Sequence, residues 1–188
     1  MQKAAEFIRK NVSADDFTLS INGSEDLLTR FAQNGITQHI TGNKLNVNLS
    51  VSYDSKNGSA SGNNLSKDSL KYLIKTASEM AKLNQPDPEF VRSEPAHILP
   101  EVDNFAQNTA EITVEEIVSN ISLCVKNAES KNAKLSGISQ KHIYDTFLAT
   151  KSGFEGFDRS TQFSHSMTMK REGVETKVSR SVKDHGRF

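Results

Sequence analysis

The sequence predicts an α+β chain in which a helix-plus-antiparallel-meander unit occurs twice. Three observations carry this. Apolar and polar residues alternate with period two through Leu45, Val47, Leu49, Val51 and Tyr53, the signature of a half-buried strand. Turn-forming dipeptides recur at short intervals on both sides of that run. The passage from Arg30 through Gly35 into Leu49-Ser50-Val51 is also echoed from Phe147 through Gly153 into Met167-Thr168-Met169, at an offset of 118 residues (153 minus 35).

Residues 2–10 form a short helix with Ala4, Phe7 and Ile8 on one face. Phe17, Leu19 and Ile21 then alternate with Thr18 and Ser20 as a strand, and Asn22-Gly23 reads as a hairpin turn. Leu27 to Gln33 returns, Asn34-Gly35 turns again, Ile36 to Ile40 follows, and Gly42-Asn43 punctuates before the strand at 45–53. Asn57-Gly58 turns that strand into Ser59–Gly62. Ser66 caps a helix whose apolar positions Leu70, Leu73, Ile74, Ala77 and Met80 or Ala81 follow the 3.6-residue period and which stops near Asn84.

Residues 85–108 hold all four prolines without periodicity and read as an extended surface connector. Thr113-Val114-Glu115-Glu116 is a capping box. It opens a helix with Ile117, Ile121, Cys124, Val125 and Ala128 on its apolar stripe. The rest is β, at about 134–150, 154–158, 161–171 and 174–182, with turns at Ser152-Gly153 and Glu172-Gly173. Residue by residue the two halves match loosely: His165 stands where Val47 does, and the first strands call for a different offset.

Bulk properties exclude several functions. Of 188 residues, 23 are Lys or Arg and 23 are Asp or Glu, so no net field favours nucleic acid or an anionic membrane. One cysteine precludes an internal disulfide and points to a reducing compartment. The first residues lead into no apolar signal segment, and no run approaches the ~20 apolar residues that span a bilayer. The expectation is a cytoplasmic protein.

No catalytic constellation emerges. His39, His97, His142, His165 and His185 form no metal-binding pair of helical spacing. His142 and Asp145, three apart in a strand, face opposite sides. Cys124 on an apolar stripe reads as a small core residue rather than a nucleophile. Gly58–Gly62 lacks the lysine of a phosphate-binding loop and reads as a hairpin tip. Lys170, Arg171, Lys177, Arg180, Lys183 and Arg187 are interrupted by Glu172, Glu175 and Asp184 and lack interleaved aromatics, which favours a solvated strand pair over a nucleic-acid surface. No catalytic, cofactor-binding or metal-binding residue is assigned. An exposed strand edge that accepts an extended peptide would leave no such motif.

The segment from Arg30 to Gln38 resembles the opening signature of the TldD/PmbA family, the TldD/TldE metalloproteases also called modulators of DNA gyrase. The Gly58–Gly62 segment, the helix at 66–83 with Ala77 and Ala81, the stretch Asn84 to Pro88, and Ser152-Gly153-Phe154-Glu155-Gly156 agree with the family in order. The resemblance covers nearly the whole chain. It implies an α+β amino-terminal domain of two intertwined repeats. Repeat one would span about 1–84, the connector 85–110 and repeat two 111–188, with the family's carboxy-terminal domain absent from this chain.

In the TldD branch that later domain carries a His-Glu-x-x-x-His zinc site, and the TldE/PmbA branch lacks it and pairs with TldD. The resemblance therefore implies a cofactor-free chain, inactive alone, with zinc held in the carboxy-terminal domain or the partner subunit. It would assemble as a heterodimer with a TldD/TldE-type partner or as a homodimer, and would guide unfolded peptides to proteolysis. The alternative expectation is a free-standing peptide-binding module acting by strand addition.

Overall fold

A computed structural model describes residues 1–187. The elements run α1 (Gln2–Asn11), β1 (Asp16–Ala32), β2 (Gly35–Tyr53), β3 (Lys56–Gly62), α2 (Lys67–Leu83), α3 (Gln107–Glu111), α4 (Val114–Glu129), β4 (Lys134–Thr150), β5 (Glu155–Arg171), β6 (Val174–Val182) and a 3-10 turn at His185–Arg187. The strands form one sheet in the order β3-β2-β1-β4-β5-β6. The fold is α+β, with two helix-plus-meander repeats that intertwine. The long strands of both repeats contribute to each of two compact units, one of 1–23, 44–102 and 145–158, the other of 24–43, 103–144 and 159–187.

One offset relates most boundaries of the two repeats. Strands β1 and β4 are each 17 residues long, and both their bounds differ by the 118 residues that separate Gly35 from Gly153. The carboxy-terminal ends of β2 and β5, the starts of β3 and β6, and the ends of α1 and α4 keep that offset. The first strands therefore need no offset of their own. Loose side-chain similarity at those strands hides a correspondence that the backbone preserves.

Several turns fall elsewhere than local sequence predicts. Asn22-Gly23 and Gly42-Asn43 lie inside the continuous strands β1 and β2. None of the four residues has the positive φ that a tight hairpin turn requires. Phe17, Leu19 and Ile21 on one side of Asn22-Gly23, and Leu27 and Phe31 on the other, are buried in different cores. Burial at both ends outweighs the local turn preference. The true turns are at Gln33-Asn34, with φ of 51° and 68°, and Asp54-Ser55, with φ of 49° and 62°.

Asn57 and Gly58 instead belong to β3, paired with Ser52 and Val51, so Gly58–Gly62 is an edge strand and not a hairpin tip. Strand β5 runs unbroken where two shorter strands are predicted, and the short helix α3 lies in what reads as the end of the connector. The turns at Ser152-Gly153 and Glu172-Gly173 stand as predicted, with Gly153 at φ 96° and Gly173 at φ 83°.

In the first unit, α1 and α2 cover one sheet face. Ile8, Leu19, Ile21, Leu49, Leu70 and Leu73 form the largest buried apolar groups of this core. Ser66 caps α2 by accepting from Ser69 N. Helix α2 lies so close to β3 that a Cβ on Gly58 would stand 2.2 Å from Ala77 O and 2.3 Å from Ala81 N. Glycine is required there by the approach of two backbones.

In the second unit, α4 supplies Ile117, Ile121 and Ala128 against Leu27, Phe31, Leu135 and Phe163. Its capping box is complete: Thr113 Oγ1 accepts from Glu116 N and Glu116 Oε2 accepts from Thr113 N. The hydrogen bonds from Thr113 hold the Glu116 carboxyl below the usual carboxylate range.

Candidate functional site

The sheet face of the first unit opposite α1 and α2 is lined by short polar side chains. Because alternate residues of a strand face opposite sides, burying Val47, Leu49 and Val51 turns Asn48, Ser50 and Ser52 the other way. Burying Gly58 and Ala60 does the same for Asn57, Ser59 and Ser61. Side-chain bonds organise this face: across strands, Asn48 Nδ2 donates to Ser61 Oγ at 3.3 Å, and within β2, Ser50 Oγ donates to Asn48 Oδ1 at 3.5 Å.

At its end a cleft of ≈450 Å³ opens, lined among others by Asp16, Thr18, Ser52, Ser59, Met80 and Phe90. The connector forms one wall. Asp16, 8% exposed, accepts from Ser93 N and Ser93 Oγ, each at 2.6 Å, and from Phe17 N at 2.8 Å. Asp87 N donates to Ser55 O at 2.8 Å and Asn84 Nδ2 to Asn57 O at 2.7 Å. Ser52, 3% exposed, lines the cleft with its Oγ paired to no protein group. The cleft offers hydroxyls, amides and carbonyls beside Met80, Phe90 and Val91, a lining suited to backbone-like groups and to small apolar side chains.

The histidines are dispersed. Thr29 Oγ1 and His39 Nδ1 lie 2.9 Å apart, and His142 Nδ1 lies 2.7 Å from Asp26 Oδ1. That Asp26 partner comes from another strand, where sequence spacing gives no hint of it. His97 packs on Phe154, with ring centroids 5.1 Å apart. His185 meets Phe163 edge-on at 6.1 Å. His165 bonds Ser139 and stacks on Phe31 at 5.9 Å. That Ser–His contact is no nucleophile pair, because Ser139 is 1% exposed and His165 8%. Burial pushes the His165 imidazole pKa below its ordinary value.

Cys124 is half-buried rather than a core residue, at the rim of a groove in the second unit. The basic residues of β5 and of the segment after β6 have acidic partners nearby, with Arg171 against Glu172, Lys183 against Asp103 and Arg187 against Asp184. Among the described residues no group of three or more His, Cys, Asp or Glu side chains is placed to hold a metal ion, and no helix is long and apolar enough to cross a membrane.

The architecture is the fold found in TldE and in candidate modulators of DNA gyrase. TldE from Thermococcus kodakarensis superposes with a TM-score of 0.82 at 18% identity, over 97% of this chain and 42% of the other. A candidate modulator of DNA gyrase from Thermotoga maritima gives a TM-score of 0.82 at 12% identity, over 100% and 43%. One from Bacteroides thetaiotaomicron gives 0.78 at 17%, over 98% and 44%. The chain thus spans less than half the length of these structures, and the likeness is one of fold. No protein-family model and no curated protein matches the sequence.

Proposed function

We propose that residues 1–188 act as the amino-terminal domain of a TldD/PmbA-type peptidase subunit, building the subunit assembly and guiding extended peptides to a zinc site held elsewhere. The observation that carries this reading is the superposition on TldE over 97% of the chain. The polar first-unit face and its cleft supply the second support. A chain that passes unfolded peptides needs to hold backbone without selecting side chains, and hydroxyl and amide groups around Asp16, Ser52 and Ser59 do that better than a deep apolar pocket. In this reading the domain is not catalytic alone and partners a TldD/TldE-type subunit or a second copy of itself.

The test is co-purification and proteolysis. The chain is expected to form a stable complex with a His-Glu-x-x-x-His-containing subunit and to show no zinc-dependent peptidase activity by itself. Peptidase activity of the isolated chain would overturn the reading. So would monomeric behaviour in the presence of every such subunit.

A second reading rests on β6. It is a sheet edge of nine residues, Val174–Val182, exposed along nearly its whole length, and such an edge can accept an extended peptide by strand addition. Lys177 and Arg180 work against it, since charged edge residues discourage indiscriminate pairing. Affinity for extended peptides in a monomeric chain without a peptidase partner would favour this alternative.

A further inference from the structure

The first half of β2 is a sheet edge without cover. Strand β3 pairs with β2 only over Val47–Tyr53, and among the described residues β1 and β3 are the strands beside β2. From Gly35 to Thr41 every residue is exposed. Successive side chains of a strand point to opposite faces, so seven exposed residues in a row leave neither face of this stretch covered. Ile36 and Ile40 are 45% and 46% exposed.

Sheet edges are ordinarily blunted by charge, proline, shortness or a covering segment. Strand β6 carries Glu175, Lys177 and Arg180, and β3 has seven residues with α2 packed against it. Residues 35–43 hold no Asp, Glu, Lys, Arg or Pro. Ile36, Thr37, Ile40 and Thr41 are β-branched and suit strand pairing.

The second repeat treats its counterpart differently. At the 118-residue offset, residues 153–161 carry Glu155, Asp158 and Arg159. The connector lies against them: His97 packs on Phe154, Leu99 stands beside Gly156, and Thr161 N donates to Asn104 O at 3.0 Å. Thr161 is at the offset of Asn43. One connector serves two equivalent edges, and it runs along β5, not β2.

We propose that residues 35–43 pair antiparallel with the same edge of a second copy of this chain, about a two-fold axis. A two-fold lays an edge on itself, so every charge on that edge would approach its own like, which is destabilising. A chain that is 24% charged keeps this stretch free of charge, as self-pairing requires. The pairing covers Ile36 and Ile40 of both copies. It also gives the outward backbone groups of β2 partners, as Asn104 does for Thr161. This names the surface of the self-assembly in the function proposed above, and rests on that reading only in taking the chain to assemble.

The 188-residue chain is followed by sedimentation equilibrium between about 5 and 500 µM, a range suited to a contact smaller than a standard interface. The mass is expected to rise toward twice that of the chain and to stop there. Ile36→Lys combined with Ile40→Lys is expected to weaken the dimer at least about tenfold through like-charge repulsion. Both side chains are nearly half exposed, so the fold is kept, which circular dichroism checks. Ile36→Glu combined with Ile40→Glu is expected to weaken it equally, and an equimolar mixture of the lysine and glutamate chains to pair again. A parent chain that stays monomeric, a dimer that survives the lysine substitutions, or a mixture that fails to pair would each overturn the proposal. Monomers whose amides at 35–43 gain hydrogen-exchange protection from an added extended peptide would give the edge to a peptide and overturn it as well. If a monomeric chain still binds a His-Glu-x-x-x-His-containing subunit, this proposal fails and the proposed function stands.

Discussion

Ser139 Oγ and His165 Nδ1 share a buried hydrogen bond at the two positions where the first repeat buries Ile21 and Val47. The second repeat has thus exchanged an aliphatic pair for a polar one within the same backbone frame. A buried polar pair is costly to break on one side only, since the surviving partner keeps its desolvation penalty. His165→Val alone is expected to destabilise the chain by about 1–3 kcal/mol. Adding Ser139→Ile is expected to recover most of the loss, measured by denaturant unfolding of both single variants and the double.

The same histidine sets a pH dependence. Desolvation places its folded pKa below the ordinary value of 6.5. As pH falls through that value the unfolded chain takes up the proton first, so ν exceeds that of the native state and stability rises with pH. The contribution is fully present above the unfolded pKa and is lost as pH falls through the folded one. Stability measured between pH 7 and pH 5 is expected to decline less in His165→Gln than in the parent. An NMR titration should place the His165 midpoint below that of an exposed histidine. An equal decline in both chains would contradict this.

Asn34 ties the turn between β1 and β2 to the start of β4. Its N–H donates to Leu135 O at 3.0 Å, Leu135 N donates to its Oδ1 at 2.6 Å, and its Nδ2 reaches Ala133 O at 3.1 Å. Asn34 also holds φ at 68°, which asparagine tolerates better than most residues. Asn34→Ala is expected to cost about 2–4 kcal/mol, combining lost bonds and backbone strain. Asn34→Gly, which relieves the strain alone, should cost less, and calorimetry of the two variants separates the contributions.

Gly58 and Thr176 occupy equivalent positions with opposite demands. A Cβ on Gly58 meets the α2 backbone at Ala77 and Ala81, so Gly58→Ala is expected to destabilise by about 1–3 kcal/mol or more through overpacking. Thr176→Ala, on an exposed edge, should stay within about 0.5 kcal/mol of the parent. Thermal unfolding of the pair is the comparison.

Asp16 fastens the connector to the strand where the candidate cleft opens. Asp16→Ala removes the acceptors of Ser93 N and Ser93 Oγ. Limited proteolysis should then cut residues 90–102 faster, while unfolding of the remainder shifts by only a few kcal/mol. Unchanged cleavage kinetics would show that the connector is held by other contacts.

The candidate cleft was illegible in the sequence because its residues come from β1, β2, β3, α2 and the connector, and no local pattern joins Asp16 to Ser93. The expected absence of short catalytic motifs pointed toward surfaces without locating one. The helices with Ser66 and Thr113 caps were legible because capping and 3.6-residue periodicity are local. Strand β4 was legible at both ends for the analogous reason, its pattern being bounded by turns. Asn22-Gly23, Gly42-Asn43 and Asn57-Gly58 misled because adjacent Asn and Gly have a strong local turn preference, and strands with buried faces overrode it.

The sequence by itself determined the three longer helices, the order of the two repeats and the echo between Gly35 and Gly153, all of which depend on interactions among near neighbours. Only the tertiary structure decided that one offset carries β1 onto β4 and the end of β2 onto the end of β5, that Gly58 lies beneath Ala81, and that Val178 stays exposed where Ala60 is covered. Those outcomes depend on which distant segment packs over a strand. A side chain's burial is a property of its neighbours in space, and two positions alike in sequence context can have different neighbours.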